Sequence, residues 1–278
     1  MGTDTITGWE PEKRTHFDEI VVNYDKIRPE YPDRLFADVI GFIGSGKKKA
    51  LEIGAGTGKA TAPFLKAGYD VTAVEIGKNM AEFLQEKFKG YKDFNVIVSA
   101  FEDALLDENS YDLIYAASAF HWIDAEIGCP KVFRLLKSGG VFALFRYNIL
   151  ARDDEVLCDE IQTAYDKYYL SYYTSKKRQV KCRRSHDEFK EPSEIINNYG
   201  FEDLKNYGFN EVSMKFYDVT LTYGADEYID LLDTLADHRS LPEENRAALY
   251  AGIKETILKH GGYIKEDHVF QLYMGRKP

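Results

Sequence analysis

The segment that most constrains this chain is Leu51-Glu52-Ile53-Gly54-Ala55-Gly56-Thr57-Gly58. Three glycines at alternate positions directly after a β-rich run permit a tight turn and let a ligand approach the backbone closely. The dinucleotide fingerprint G-x-G-x-x-G is absent: counted from Gly54 the sixth residue is Lys59, and counted from Gly56 it is Thr61. A pyrophosphate reader is therefore disfavoured. Glu52 argues the same way, because a carboxylate just before the turn repels a diphosphate and attracts an ammonium group. Glu75 closes the next β-rich run, 21 positions after Gly54, at the spacing where Rossmann-like folds place a carboxylate that accepts ribose hydroxyls. Together these residues ask for a nucleoside with a free ribose, no phosphates and a cation.

The surroundings of the turn set its context. Ala50-Leu51-Glu52-Ile53 reads as a strand, Thr61 to Ala67 as a helix stopped by Gly68, Asp70 to Val74 as a second strand and Met80 to Phe88 as a second helix. Asn95 to Val98 and Leu113 to Ala117 are further strands, and Val141 to Phe145 follows the turn Ser138-Gly139-Gly140. Strands alternating with helices over about 100 residues specify an α/β fold with helices on both faces of a parallel sheet. Ligands of such sheets bind at the carboxyl ends of the strands.

S-adenosylmethionine meets all three requirements of the turn, and from Phe17 to Asn148 the chain resembles the class I S-adenosylmethionine-dependent methyltransferases. Within them it looks like the branch of trans-aconitate methyltransferase-like and other small-molecule enzymes. The resemblance implies a Rossmann-like sheet, mostly parallel with a terminal antiparallel strand from the His268 region, plus helical insertions forming a lid. It implies that Glu52 and Gly54-Ala55-Gly56-Thr57-Gly58 hold the methionine end, that Glu75 binds the ribose, and that Phe101 and Glu102 hold adenine. Ile76, Met80 and Ala119 complete the implied cofactor contacts. Ser99-Ala100-Phe101-Glu102 and Tyr111-Asp112-Leu113-Ile114 align with the family pattern without a gap, and Leu135 to Gly140 resembles its turn before the fifth strand. Many relatives have Asp where this chain has Ala100, so the adenine amino group needs another acceptor, Glu102 or a backbone carbonyl.

Residues expected on the acceptor side are Tyr24, Arg28, His121 and Arg146. Tyr24 and Arg28 belong to a segment that resembles the family's N-terminal cap, where exclusion of water and positioning serve an in-line displacement. His121 follows the fourth strand. Its ordinary pKa of about 6.5 suits it to accept a proton from a hydroxyl or amine nucleophile, and its competing role is to cap the next helix or orient Trp122. Tyr147 and Asn148 follow Arg146 at the end of the fifth strand. Two rival readings remain. An NAD-dependent oxidoreductase shares the fold and the ribose carboxylate but not the glycine spacing or Glu52. A non-catalytic S-adenosylmethionine-binding protein shares every feature, because fold does not establish function.

Composition narrows the partners. The 278 residues carry 36 Lys and Arg against 46 Asp and Glu, a formal charge of -10, which opposes sequence-independent binding to nucleic acid or an anionic membrane. No run approaches the roughly 20 apolar residues that span a bilayer, and Met1 to Phe17 has no signal-peptide pattern. Cys129, Cys158 and Cys182 give no spacing that suggests a disulfide framework, a zinc site or another metal, which fits a cytoplasmic location. The expected partner is a small-molecule methyl acceptor.

The expected organisation is an N-terminal helical cap over 1–48, a core over 49–150, a helical insertion or lid over 151–208, and last strands with a second insertion (224–262) over 209–278. Asp153 to Tyr173 shows an aromatic stripe of Ile161, Tyr165, Tyr168 and Tyr172. It reads as a packing face, or as the wall of an acceptor pocket. The basic run from Lys176 to Arg184 reads as a solvated face, or as an attractor of acidic substrates. The alternation of Val212, Met214 and Phe216 with Val219 and Leu221 requires a phase shift such as a bulge, and Pro242 suits a helix start.

Overall fold

The computed structural model describes residues 11–46, 48–152, 154–174, 183–189 and 203–278. In chain order its regular elements are α1 (Val21–Ile27), α2 (Asp33–Ile43), β1 (Lys49–Ile53), α3 (Thr61–Lys66), β2 (Asp70–Glu75), α4 (Lys78–Lys87), β3 (Phe94–Val98) and β4 (Tyr111–Ala117). Then follow α5 (Ala125–Leu135), β5 (Leu136–Arg152), α6 (Glu155–Tyr168), α7 (Asp203–Asn206), β6 (Asn210–Gly224), α8 (Ala225–Leu232), α9 (Ala236–Arg239), α10 (Glu243–Lys259) and β7 (Tyr263–Arg276). Short 3-10 turns cover Pro11–Glu19, Phe120–Trp122 and His186–Phe189.

These elements form two compact units. A sheet unit comprises Pro29–Asn148, His186–Asp218 and Val269–Pro278, and a helical unit comprises Met1–Arg28, Ile149–Ser185 and Val219–His268. The boundaries between the units fall after Arg28, Asn148, Ser185, Asp218 and His268.

In the sheet unit the strand order is β3-β2-β1-β4-β5-β7-β6, with β1 to β5 paired in parallel. Gly139 donates its N–H to the Lys277 carbonyl at 2.9 Å, and Lys277 donates back to Gly140 at 2.8 Å. This reciprocal exchange belongs to an antiparallel ladder. The sheet is mostly parallel with one antiparallel strand, as expected. β1 and β2 are apolar on both faces because helices cover both, which is why they read as unbroken runs rather than alternations. Their side chains join Ile114, Phe142, Cys129 and Val132 in one core. The chain lays down β1, β2 and β3 toward one side of the sheet, then places β4 and β5 on the other side of β1. The order therefore reverses between β1 and β4, which puts the ligand crevice of such a sheet at the carboxyl ends of those two strands.

The helical unit has its own core, in which Leu157 and Ile161 of α6 meet Leu249, Ile253 and Ile257 of α10 and Tyr228 of α8. Arg152, Glu266 and Tyr228 form a buried polar cluster there, with Arg152 Nε donating to Glu266 Oε1 at 2.7 Å and the Tyr228 hydroxyl donating to the same oxygen at 3.0 Å. The Arg152 charge and the His268 ring beside it hold the Glu266 carboxyl below its ordinary value despite burial.

Several local expectations are corrected. The Ser138-Gly139-Gly140 turn lies inside β5, where pairing passes from Tyr111 with Leu136 to Leu113 with Val141 through an irregularity in the ladder. Gly139 has φ +77° there, and a glycine needed for an interrupted ladder looks in sequence like one needed for a turn. Helix α6 ends at Tyr168, so Tyr172 lies beyond it. Tyr169 and Tyr173 are the buried rings, and both hydroxyls donate to Asp237, to its side chain and its carbonyl respectively. Pro242 is the N-cap of α10, one position before its first residue. The alternation in β6 does change phase, with Phe216 and Tyr217 both half-buried. Cys158 is disulfide-bonded, whereas Cys129 is a buried free thiol; spacing along the chain does not report which thiols a fold brings together. Most of the 176–184 basic run lies outside the described residues. Among those described, no helix is long and apolar enough to cross a membrane.

The glycines of the turn allow a direct test of this packing. A Cβ on Gly58 (φ +80°) would lie 2.4 Å from Phe88 Cε2 and 2.8 Å from Leu84 Cδ2, whereas one on Gly56 (φ +55°) would meet nothing within 4 Å. Gly58→Ala is expected to cost about 2–4 kcal/mol of unfolding free energy and Gly56→Ala about 1 kcal/mol, since only the first adds a clash to the backbone penalty. Urea denaturation of the two variants measures this, and equal losses would contradict the packing described.

Candidate functional site

The register of the sheet assembles the site. Ile53 pairs with Val74 and Glu75 with Val98, so β1, β2 and β3 end at one level, and Glu52 pairs with Tyr115 of β4. The turn after β1 then lies beside Glu75. Gly54 donates its N–H to the Val74 carbonyl at 2.8 Å, and all three turn glycines have positive φ, +65°, +55° and +80°, a region costly for residues with a Cβ. Ala119, just after β4, approaches so closely that a Cβ on Gly54 would meet its Cβ at 2.6 Å.

Glu75 is buried at the centre of this arrangement. Its Oε2 accepts the Gly56 N–H at 2.7 Å and its Oε1 accepts the Gly77 N–H at 2.8 Å. Two main-chain donors, one on each oxygen, orient the carboxylate.

Glu52 lies fully buried below the turn. The hydroxyls of Thr61 and Tyr115 donate to its Oε2, the second at 2.9 Å. Its Oε1 has no hydrogen-bond partner, and neither does the buried Thr57 hydroxyl. Burial pushes the Glu52 carboxyl up to about 8; the two hydroxyls work against that shift and the Glu75 charge adds to it. Two orphaned polar atoms under a glycine turn with open space above Gly56 are what a bound polar ligand would satisfy. The residues present fit an S-adenosyl group on that ground: a cation for Glu52, hydroxyls for Glu75, and a backbone free of side chains between them.

Of the other sequence-derived positions, Ala55 and Thr57 are buried in the turn, Ile76 is half-buried beside Glu75, and Met80 is 2% exposed on α4. Phe101 is buried in the core and Glu102 is half-buried. His121 and Trp122 sit half-buried on the 3-10 turn after β4, their rings 5.4 Å apart. Arg146 lies in the sheet-unit part of β5. Tyr24 and Arg28 belong to the helical unit instead, where the Arg28 guanidinium donates to the Thr234 carbonyl at 2.6 Å and packs over the Tyr24 ring.

Sequence reasoning missed Lys131. From α5 its ammonium donates to the carbonyls of Phe101 at 2.7 Å, Glu102 at 3.1 Å and Ala104 at 2.7 Å, so its three N–H groups hold the loop after β3. A lone lysine on an amphipathic helix carries no signal of that role. Thr61, Tyr115, Tyr31 and Ser118 were missed too, the last two joined by a hydroxyl pair at 2.8 Å.

The chain is similar to known methyltransferases. Residues 51–144 match a family described as a methyltransferase domain. An uncharacterized methyltransferase of Mycobacterium tuberculosis is 31% identical over 128 residues, 46% of this chain and 50% of that protein. An uncharacterized methyltransferase of Schizosaccharomyces pombe is 25% identical over 244 residues, 85% of each. Among solved structures, a Haemonchus contortus phosphoethanolamine N-methyltransferase in complex with S-adenosylhomocysteine aligns with a TM-score of 0.54 at 17% identity, covering 98% of this chain and 60% of that one. The match thus spans about half the length of the mycobacterial relative and 60% of the nematode enzyme. Residues 51–144 of the chain thus carry a methyltransferase domain.

The state of Glu52 has a measurable consequence. Above about pH 4.5 the unfolded chain has released a proton that the folded protein keeps up to about 8. The stability this group contributes is therefore fully present below about 4.5 and is lost progressively as pH rises through about 8. Glu52→Gln, shaped like the neutral acid, is expected to flatten that loss and raise the melting temperature of the ligand-free protein at pH 8 by several degrees. Melting curves of both proteins across this range check it; parallel slopes would show that Glu52 is ionised when folded.

Proposed function

We propose that the protein transfers a methyl group from S-adenosylmethionine to a small-molecule acceptor by in-line displacement, a carboxylic acid being one candidate. The observation that supports this most is the pairing of the oriented Glu75 carboxylate with the orphaned Glu52 oxygen across the glycine turn. When bound, S-adenosylmethionine supplies the methyl group and a sulfonium leaving group. The backbone of Gly54 to Gly58 provides the floor, Glu75 accepts the ribose hydroxyls, and Glu52 Oε1 receives the ammonium directly or through one water. Ile76, Met80, Phe101 and Glu102 line the adenine side, with Lys131 fixing the loop that carries the last two. Ala119 closes the turn from the β4 side.

His121 and Arg146, both of the sheet unit, are proposed for the acceptor side. A neutral hydroxyl or amine acceptor must lose a proton as it attacks, and His121 is the residue assigned to take it; an acceptor that is already anionic needs none. The low-dielectric walls of the crevice favour a reaction in which charge disperses.

Calorimetric titration with S-adenosylhomocysteine tests the reading without knowledge of the acceptor. The protein is expected to bind it and to give no heat with NAD; the reverse result would favour the oxidoreductase. Glu75→Ala is expected to weaken binding by about 1.5–3 kcal/mol, roughly 10- to 150-fold in Kd, as for lost hydrogen bonds to a charged group. Unchanged affinity would remove Glu75 from the ribose.

A further inference from the structure

Ser118 follows β4 directly and is one of three non-glycine residues with positive φ among the described residues, at +53°. A left-handed serine is costly, and such residues persist only where their surroundings over-determine them. Two contacts do so here. The Ser118 N–H donates to the Phe145 carbonyl at 2.8 Å, and the Ser118 hydroxyl shares a hydrogen bond of 2.8 Å with the hydroxyl of Tyr31. Tyr31 is itself held rigidly. Its ring is 9% exposed and meets the rings of Phe145 at 5.8 Å, Phe270 at 5.6 Å and Tyr147 at 6.2 Å, and the chain on either side is restricted by Pro29 and Pro32. The next residue after Ser118 is Ala119, whose Cβ occupies the space that a side chain on Gly54 would need. The backbone angle at Ser118 therefore decides where Ala119 stands against the first glycine of the turn.

We infer that Tyr31 is a positioning residue for the cofactor site: its hydroxyl holds Ser118 in the left-handed conformation and thereby sets Ala119 against Gly54. This deepens the proposed function and rests on the turn being the cofactor floor. Tyr31 acts through Ser118. Tyr31, Ser118, Ala119, Gly54 and Phe145 all lie within the sheet unit. Without the hydroxyl bond a serine at this position gains by relaxing to negative φ, which moves Ala119 off the turn. A glycine at 118 has no such preference.

The test is a mutant cycle read by S-adenosylhomocysteine calorimetry, with melting temperature recorded beside it. Tyr31→Phe keeps the buried ring and removes only the hydroxyl; Ser118→Ala keeps the Cβ penalty and removes the other half of the pair. Each is expected to weaken binding about five- to tenfold, the size of one modest hydrogen bond, while the melting temperature changes little. Ser118→Gly is expected to bind within about threefold of the wild type, and Tyr31→Phe added to it is expected to have no further effect, because the coupled pair is already gone. Wild-type affinity in Tyr31→Phe, or the same loss with and without Ser118→Gly, would overturn the inference. Should Tyr31→Phe fail to fold, Ser118→Ala against Ser118→Gly carries the same comparison. Glu75→Ala in the same assay separates the two levels: tight binding by that variant overturns the cofactor reading itself, whereas weak binding by it together with an indifferent Tyr31→Phe overturns only the role of Tyr31.

Discussion

Two main-chain N–H groups, of Gly56 and Gly77, converge on the carboxylate of Glu75, and much of the site depends on that convergence. It ties the turn after β1 to the turn after β2, so that two separate strand ends become one surface. The bond from Gly56 needs a backbone with positive φ that exposes its N–H sideways, which is why glycine stands there. It also leaves the carboxylate aimed by main-chain donors on both of its oxygens.

Beneath this surface Glu52 plays the opposite part. Glu75 is oriented by donors, whereas Glu52 is buried with one oxygen paired twice and the other not at all. Such a group is unfavourable in the ligand-free protein, and its carboxyl keeps its proton well above the usual range in response. The cost makes sense if a cation arrives to be matched. Local instability placed where a ligand relieves it is a common way for a site to couple binding to rigidity.

The region of the chain most open to sequence reading was the sheet unit from β1 to β4. Its strands are continuous apolar runs with glycine punctuation, and their boundaries fall within about one or two residues of those expected. Glu52, Glu75 and the turn were legible because the residue type at each is demanded by local geometry: a glycine for positive φ, an acid at a strand end. Less was legible after Tyr147. The aromatic stripe does form a packing face, with Ile161 in the core of the helical unit and Tyr165, Tyr168 and Tyr172 packed against it, but Tyr169 and Tyr173 are the more deeply buried rings because the helix stops at Tyr168 and the chain leaves the 3.6-residue period there. The pairing of Cys158 was likewise invisible to spacing.

The sequence by itself determined an α/β sheet with a glycine turn that lacks the dinucleotide spacing, and acids at or next to the ends of its first two strands. These follow from backbone sterics and from charge, which act within a few residues. Only the tertiary structure decided which side chains complete the site. Lys131 reaches the loop after β3 across 30 positions to Phe101, and Tyr31 reaches Ser118 across 87. Tyr115 reaches Glu52 across 63. Such partners are chosen by the strand order that reverses between β1 and β4; a hydrogen bond between distant residues leaves no period, motif or composition by which the chain alone would reveal it.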